Sequence, residues 1–362
     1  MQNYTPAEDP VPPSDQGIAP CANIRALKKE IRRAGNRNGL LLIGIFLAAN
    51  LLGSAAMAVW ILLFGMPAES DYELFSQIIS VVFLDLIAFP AALLVNRFTR
   101  KTPFRIRFQR PAVSFLFIAK WCVIGFGGAY AVNYIMRLVF LIPQAFGIEF
   151  HAPSMTLGTS PLAVIVTAVS FALIAPLMEE LFFRGAMLNN VRPFGDGFAI
   201  LMTAVMFGMF HMNYEQIFYA AALGLAAGFL CVKANSILPA IFLHFGFNVV
   251  GAVQSILVSR VQFDMFSPES FLTVTGHEAE WFLIGLVSLF CFCLMVLGII
   301  LLIIEIKMHR SVFHLSNPCP QISELKKATV YLTSPGTLAF FLSLIHISHR
   351  SGCFAGKARF RV

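Results

Sequence analysis

Long apolar runs dominate the hydrophobic–polar pattern of the chain, and most end abruptly in charged or turn-forming residues. They fall at about residues 39–66, 75–95, 112–143, from Pro161 past Arg184, then 198–212, 213–232, 237–258 and 281–306. A run of roughly 18 or more apolar residues can cross a bilayer as a helix, which satisfies its own backbone hydrogen bonds. The pattern predicts an all-α fold, a polytopic membrane helix bundle with about eight transmembrane helices. Spans five and six meet at 212–213 with almost no loop, so one of the two is expected to be bent or partly re-entrant. No internal repeat stands out.

Composition agrees. Of 362 residues 58% are hydrophobic and only 12% charged, with a mean hydropathy of +0.76. Soluble chains carry roughly a quarter charged residues, so an ordinary soluble enzyme is excluded. The formal net charge of +7 does not imply nucleic acid, because the basic residues cluster at the ends of apolar runs, where they orient segments in a bilayer. Arg25 to Arg37 precede span one and Arg97 to Arg110 follow span two, whereas the 67–74 connection holds Glu69, Asp71 and Glu73 with no Lys or Arg. This bias places both termini in the cytoplasm and the 67–74 and 259–280 loops outside.

The chain therefore divides into a cytoplasmic arm at 1–38, disordered and then basic; three membrane helices at 39–160; a polar-bearing membrane core at 161–258; an outer loop and final span at 259–306; and a cytoplasmic tail at 307–362. No signal peptide opens the sequence. The tail carries turn residues and an apolar stretch at 338–347 too brief to span; it is expected to lack fixed structure and suggests no role. The seven cysteines, several within apolar runs, form no paired framework and read as free thiols or packing residues.

Ionisable residues at membrane depth each cost about 2.5–3.5 kcal/mol even on the mildest insertion scale. Asp85 in span two and Lys120 in span three lie at matching depths and are expected to form a structural ion pair, while Arg137 snorkels at the outer end of span three. Span four reads Glu179-Glu180-Leu-Phe-Phe-Arg184, which makes Glu180 and Arg184 i,i+4 neighbours and leaves Glu179 about 100° away without that partner. Span five carries Phe207-Gly-Met-Phe-His211, and span seven carries His244-Phe-Gly-Phe-Asn248 on one helical face. Singly, each has a bland explanation: a neutralised acid pair, a core histidine, an interhelical hydrogen bond. Together they fall on three spans within about 70 residues, close enough to share a cavity. A carboxylate and an imidazole meeting there can bind and deprotonate a water, and a facing His and Asn can hydrogen-bond the oxyanion formed on attack at an amide. Peptide hydrolysis is the chemistry that uses those parts. Counted from the inner ends, His211 lies about 20 Å deep against 10–15 Å for Glu179 and His244, an offset the fold has to absorb.

These residues resemble the CPBP intramembrane proteases, also called the Abi or type II CAAX prenyl protease family. Its signature is two adjacent glutamates with an arginine four residues after the second, then Phe-x-x-x-His, then His-x-x-x-Asn/Asp. Here these are Glu179-Glu180-x-x-x-Arg184, Phe207-x-x-x-His211 and His244-x-x-x-Asn248, in order, within residues 161–258. The resemblance implies that Glu179 and His211 activate the water, that His244 and Asn248 stabilise the oxyanion, and that Glu180 and Arg184, with Phe207 walling the site, have supporting roles. It implies a membrane-associated protein or peptide as substrate, within a lipid bilayer and with no nucleic acid, in the plasma membrane of a bacterium. Family members are often called metalloproteases. Zinc on Glu179, His211 and His244 is the alternative to a metal-free, glutamate-activated water, although no His-Glu-x-x-His segment is present. Outside this class the competing functions are a membrane transporter and a non-catalytic scaffold. A polar cluster without a counterpart in the first half favours an enzyme over a transporter.

Overall fold

The computed structural model describes residues 23–100, 107–146, 161–261 and 277–350, and all regular structure among them is helical. The expected disordered arm at 1–20 and most of the outer loop at 259–280 lie outside the described residues. The helices are α1 (Ile24–Phe64), α2 (69–99), α3 (Phe115–Ala145), α4 (Pro161–Phe194), α5 (Asp196–Phe210), α6 (Tyr214–Ala234), α7 (Leu238–Val261), α8 (Glu278–Met308), α9 (Glu324–Leu332) and α10 (Pro335–Arg350). Seven of the described helices are long and apolar enough to cross a membrane, and the chain is an integral, multi-pass membrane protein. The remaining expected span, α5, has 15 residues. At 1.5 Å per residue it reaches about 22 Å, short of the roughly 30 Å hydrocarbon core.

The basic stretch before span one is already helix. Asn23 caps α1 by accepting from the Arg25 and Ala26 amides, and Leu27, Ile31, Ala34 and Asn38 are buried along one side. Helix thus begins at Ile24 within the basic stretch, because an apolar stripe runs beneath those charges.

In the centre α5 and α6 form a tight antiparallel hairpin, flanked by α3, α4 and α7, and α8 closes against α3. Small residues allow the close approaches, as is usual where lipid supplies no hydrophobic drive between helices. A methyl on Gly208 of α5 would collide with the Ile217 carbonyl of α6. The hairpin turn is three residues long. His211 ends α5, Met212 takes a left-handed conformation (φ 50°), and Asn213 caps α6 by accepting from the Glu215 amide.

Two helices change register where they meet a proline. In α4 the wide π-type turn at Ser170–Ile174 sends the Ala175 N–H to the Ser170 carbonyl, and in α2 the turn at Val81–Ala88 sends the Phe89 N–H to Leu84. The next residue in each case is proline, Pro176 and Pro90, with no N–H to continue the series. The carbonyls of Phe171 and Asp85 are thereby left without their intrahelical donor.

The tail departs from expectation. Rather than lacking structure, α9 and α10 pack against the first half of α1, burying Tyr331, Phe340 and Leu344. Lys327 is fully buried, and its ammonium donates to the Phe194 carbonyl (2.8 Å), Asn317 Oδ1 (2.8 Å) and Glu324 Oε1 (2.7 Å). The apolar stretch that is too short to span finds its cover on α1 instead.

Candidate functional site

Arg184 is the centre of the polar cluster. It lies within the third π-type turn, Leu181–Met187, with its side chain 1% exposed. Its guanidinium donates to Glu180 Oε1 (2.7 Å) and to the Gly224 carbonyl of α6 (3.1 Å), and stacks 4.6 Å above the ring of Phe207. The i,i+4 pairing read from the sequence is present, and the guanidinium also ties α4 to the α5–α6 hairpin.

Glu180 Oε1 has a second donor, His244 Nδ1 of α7, at 2.9 Å. A carboxylate that already accepts from arginine can only accept, so Nδ1 carries the proton and Nε2 is turned the other way. Nε2 faces Glu179 Oε2 at 3.8 Å, too far for a direct bond. Glu179 Oε2 and Glu180 Oε2 are buried and have no hydrogen-bond partner. Glu179 is thus on a different face from the Glu180–Arg184 pair, as the helical spacing requires, and that face is turned to His244.

His211 sits at the C-terminal end of α5, with Nδ1 2.9 Å from the Phe207 carbonyl one turn back. A carbonyl only accepts, so Nδ1 donates and the ring presents an unprotonated Nε2 when neutral. Phe207 lies between the two histidines, its ring edge-on to His211 at 4.9 Å and to His244 at 5.4 Å. For Glu179 the depth offset expected from the sequence resolves because α4 continues to Phe194. Glu179 is fifteen residues from that end and His211 fifteen from the start of α5, so both lie about 20 Å in.

Asn248 is one turn beyond His244, but its Nδ2 donates to the Phe171 carbonyl of α4 at 2.8 Å, the carbonyl orphaned by Pro176. The contact clamps α7 to α4 beside the cluster; Phe171 carried no side-chain signal of its own. Proline five residues downstream was the available clue.

The expected Asp85–Lys120 pair does not form. Lys120 pairs with Glu305 of α8 at 2.6 Å, and Asp85 Oδ1 is buried without a hydrogen-bond partner. Equal depth along two helices does not fix the direction in which each side chain points, and Lys120 faces α8. The α2 turn carrying Asp85 packs instead against the α4 segment Ala175–Glu180, within electrostatic reach of Glu179. Arg137 is exposed on α3, as a snorkelling residue would be.

For zinc the donors do not fit as they stand. Among the described residues no group of three His, Cys, Asp or Glu side chains is arranged to hold a metal ion. His244 and His211 each commit Nδ1 to a protein acceptor and keep Nε2 free, and only Glu179 Oε2 and His244 Nε2 are seen to face each other, which leaves the set short of three convergent donors.

Two adjacent carboxylates are thus buried in a multi-pass helical protein, with His244 of a separate helix set against both. Residues 161–250 match the model of the family described as type II CAAX prenyl endopeptidase Rce1-like, the same family the three motifs resemble. Over 120 residues the chain is 27% identical to a Bacillus subtilis (strain 168) protein named "Putative membrane peptidase YdiL", covering 32% of this chain and 46% of that protein. Over 133 residues it is 31% identical to an "Uncharacterized 24.3 kDa protein" of Escherichia coli, covering 34% of this chain and 60% of that one. The matches span about half the length of these curated relatives. No solved structure matches.

Proposed function

We propose that the protein is an intramembrane endopeptidase that hydrolyses a peptide bond of a membrane-associated protein or peptide with a Glu/His-activated water. The observation that carries the reading is the opposition of Glu179 Oε2 and His244 Nε2 across 3.8 Å, beneath the lipid surface and inside the segment that matches an endopeptidase family. The gap suits a bridging group better than a direct contact.

In this reading water adds through its oxygen to the scissile carbonyl carbon and gives a proton to Glu179, with His211 Nε2 as a second acceptor. Negative charge moves to the carbonyl oxygen. His244, its Nδ1 held by Glu180, can donate to it through Nε2 when that nitrogen carries a proton. Asn248 has a second amide hydrogen beyond the one committed to Phe171. As the C–N bond breaks, Glu179 returns the proton to the leaving amine. Glu180 and Arg184 hold His244 in one tautomer and orientation, and no step requires a metal. Both termini then face the cytoplasm, in a bacterial plasma membrane.

The test is cleavage of a membrane-anchored reporter by the purified, reconstituted chain. Glu179→Gln and His211→Ala are expected to insert and fold normally while lowering kcat by about 100-fold or more. Cleavage at the unaltered rate by a folded Glu179→Gln chain would reject the reading. Metal analysis of the unchelated active protein is expected to give well under one zinc per chain. Comparing membrane proteomes with active and Glu179→Gln protein would identify the substrate and show whether it is prenylated.

A further inference from the structure

Among the described residues Asp85 is a buried carboxyl group with no cation paired to it. It is 5% exposed, its expected partner Lys120 is taken by Glu305, and its Oδ1 is buried without a donor. Its main-chain carbonyl has also lost its intrahelical donor to Pro90. Two acceptors therefore sit together on α2, against the α4 segment that carries Glu179, whose Oε2 is likewise buried and unpaired. While both carboxyl groups are ionised neither can satisfy the other, and a molecule with two N–H or O–H bonds can bridge them. Buried polar groups that persist unpaired in an apolar interior mark function more often than packing.

We propose that Asp85 is a further catalytic residue: with Glu179 it holds the attacking water, each carboxyl group accepting one of its two hydrogens. The inference rests on the hydrolase reading above and extends it to the first half of the chain. A water held by both its hydrogens presents its lone pair along one direction, so Asp85 fixes the angle of attack while Glu179 removes the proton. The step balances as before: the O–H bond toward Glu179 breaks, the O–C bond to the substrate forms, and the hydrogen facing Asp85 stays on the oxygen until the product acid separates.

A structural role and a catalytic role predict opposite patterns for one substitution. If Asp85 were only a tolerated buried polar group, Asp85→Leu, which keeps the branched skeleton, would relieve an unsatisfied carboxyl group, raising the thermal midpoint and leaving cleavage intact. The proposal expects Asp85→Leu to match or exceed the unaltered chain in thermal stability while kcat falls about 100-fold with KM within about twofold. Asp85→Asn, which keeps shape and one acceptor, is expected to lie between, and Asp85→Glu to recover part of the rate. Glu179→Gln is run beside them. Cleavage at the full rate by folded Asp85→Leu, with Glu179→Gln inactive, overturns the role of Asp85 and leaves the hydrolase reading standing. A loss confined to KM also overturns it. An active Glu179→Gln chain overturns both.

Discussion

At the residue scale, the cluster depends on one guanidinium reaching three elements. Arg184 bonds Glu180 on its own helix and the Gly224 carbonyl on α6, and stacks on Phe207 of α5. Removing one partner of a buried ion pair costs about 3–5 kcal/mol, because the other is left charged and unpaired. Arg184→Met is expected to destabilise by that order, read as a fall in the thermal midpoint in detergent, and to free His244 by loosening Glu180. Arg184→Lys is expected to recover little, since a point ammonium cannot bond carboxylate and carbonyl in a fixed fork while lying flat on a ring. Of these contacts, the sequence made the Glu180–Arg184 pair legible through i,i+4 spacing. The contacts to Gly224 and Phe207 depend on how helices turn about their axes, which spacing within one helix does not encode. The failed Asp85–Lys120 pairing has the same cause.

Among the elements, the α5–α6 hairpin and the two proline-linked turns set the site's geometry. His211 reaches the cluster because α5 stops after 15 residues and the chain reverses through left-handed Met212. The missing loop at 212–213 announced that reversal in the sequence, and the length of α5 follows from it. Pro90 and Pro176 stand in the sequence, but nothing in the spacing shows that each strips a donor from a carbonyl five residues back. Gly208 lets the two arms of the hairpin touch. A side chain there must push α6 away from α5 and move His211 with it. Gly208→Ala is expected to cost about 1–3 kcal/mol and to lower kcat more than a stability loss alone explains. Reporter cleavage measured at a temperature where both chains are fully folded separates the two effects.

Over the whole molecule, the C-terminal segment turns out to be part of the scaffold of the site. Lys327 donates to the Phe194 carbonyl, and the Ser316 carbonyl accepts from the Asp196 amide (2.8 Å), so the tail grips the turn that joins α4 to α5. Those two helices carry Glu179, Glu180, Arg184 and His211. On α1 the segment rests on Gly39, where a methyl would collide with Gly336, and Asn38 donates to the Tyr331 hydroxyl at 2.8 Å. None of this was legible in the sequence, because a stretch of mixed polarity, too short to span, has no periodic signature until its partner surface is known. Lys327 is the point where the grip can be tested without deleting anything. Lys327→Met keeps the length and apolar stem but takes the ammonium from the Phe194 carbonyl and leaves Asn317 Oδ1 only the Cys319 amide, a loss of about 1–3 kcal/mol. If the tail acts as a brace for the site, that variant is expected to unfold at a lower temperature and to cleave the reporter more slowly while still inserted. A chain ended after Arg310 is expected to show the same defects more severely. An unchanged midpoint and rate for the truncated chain would mean that the central helices hold Glu179 and His211 in register without it.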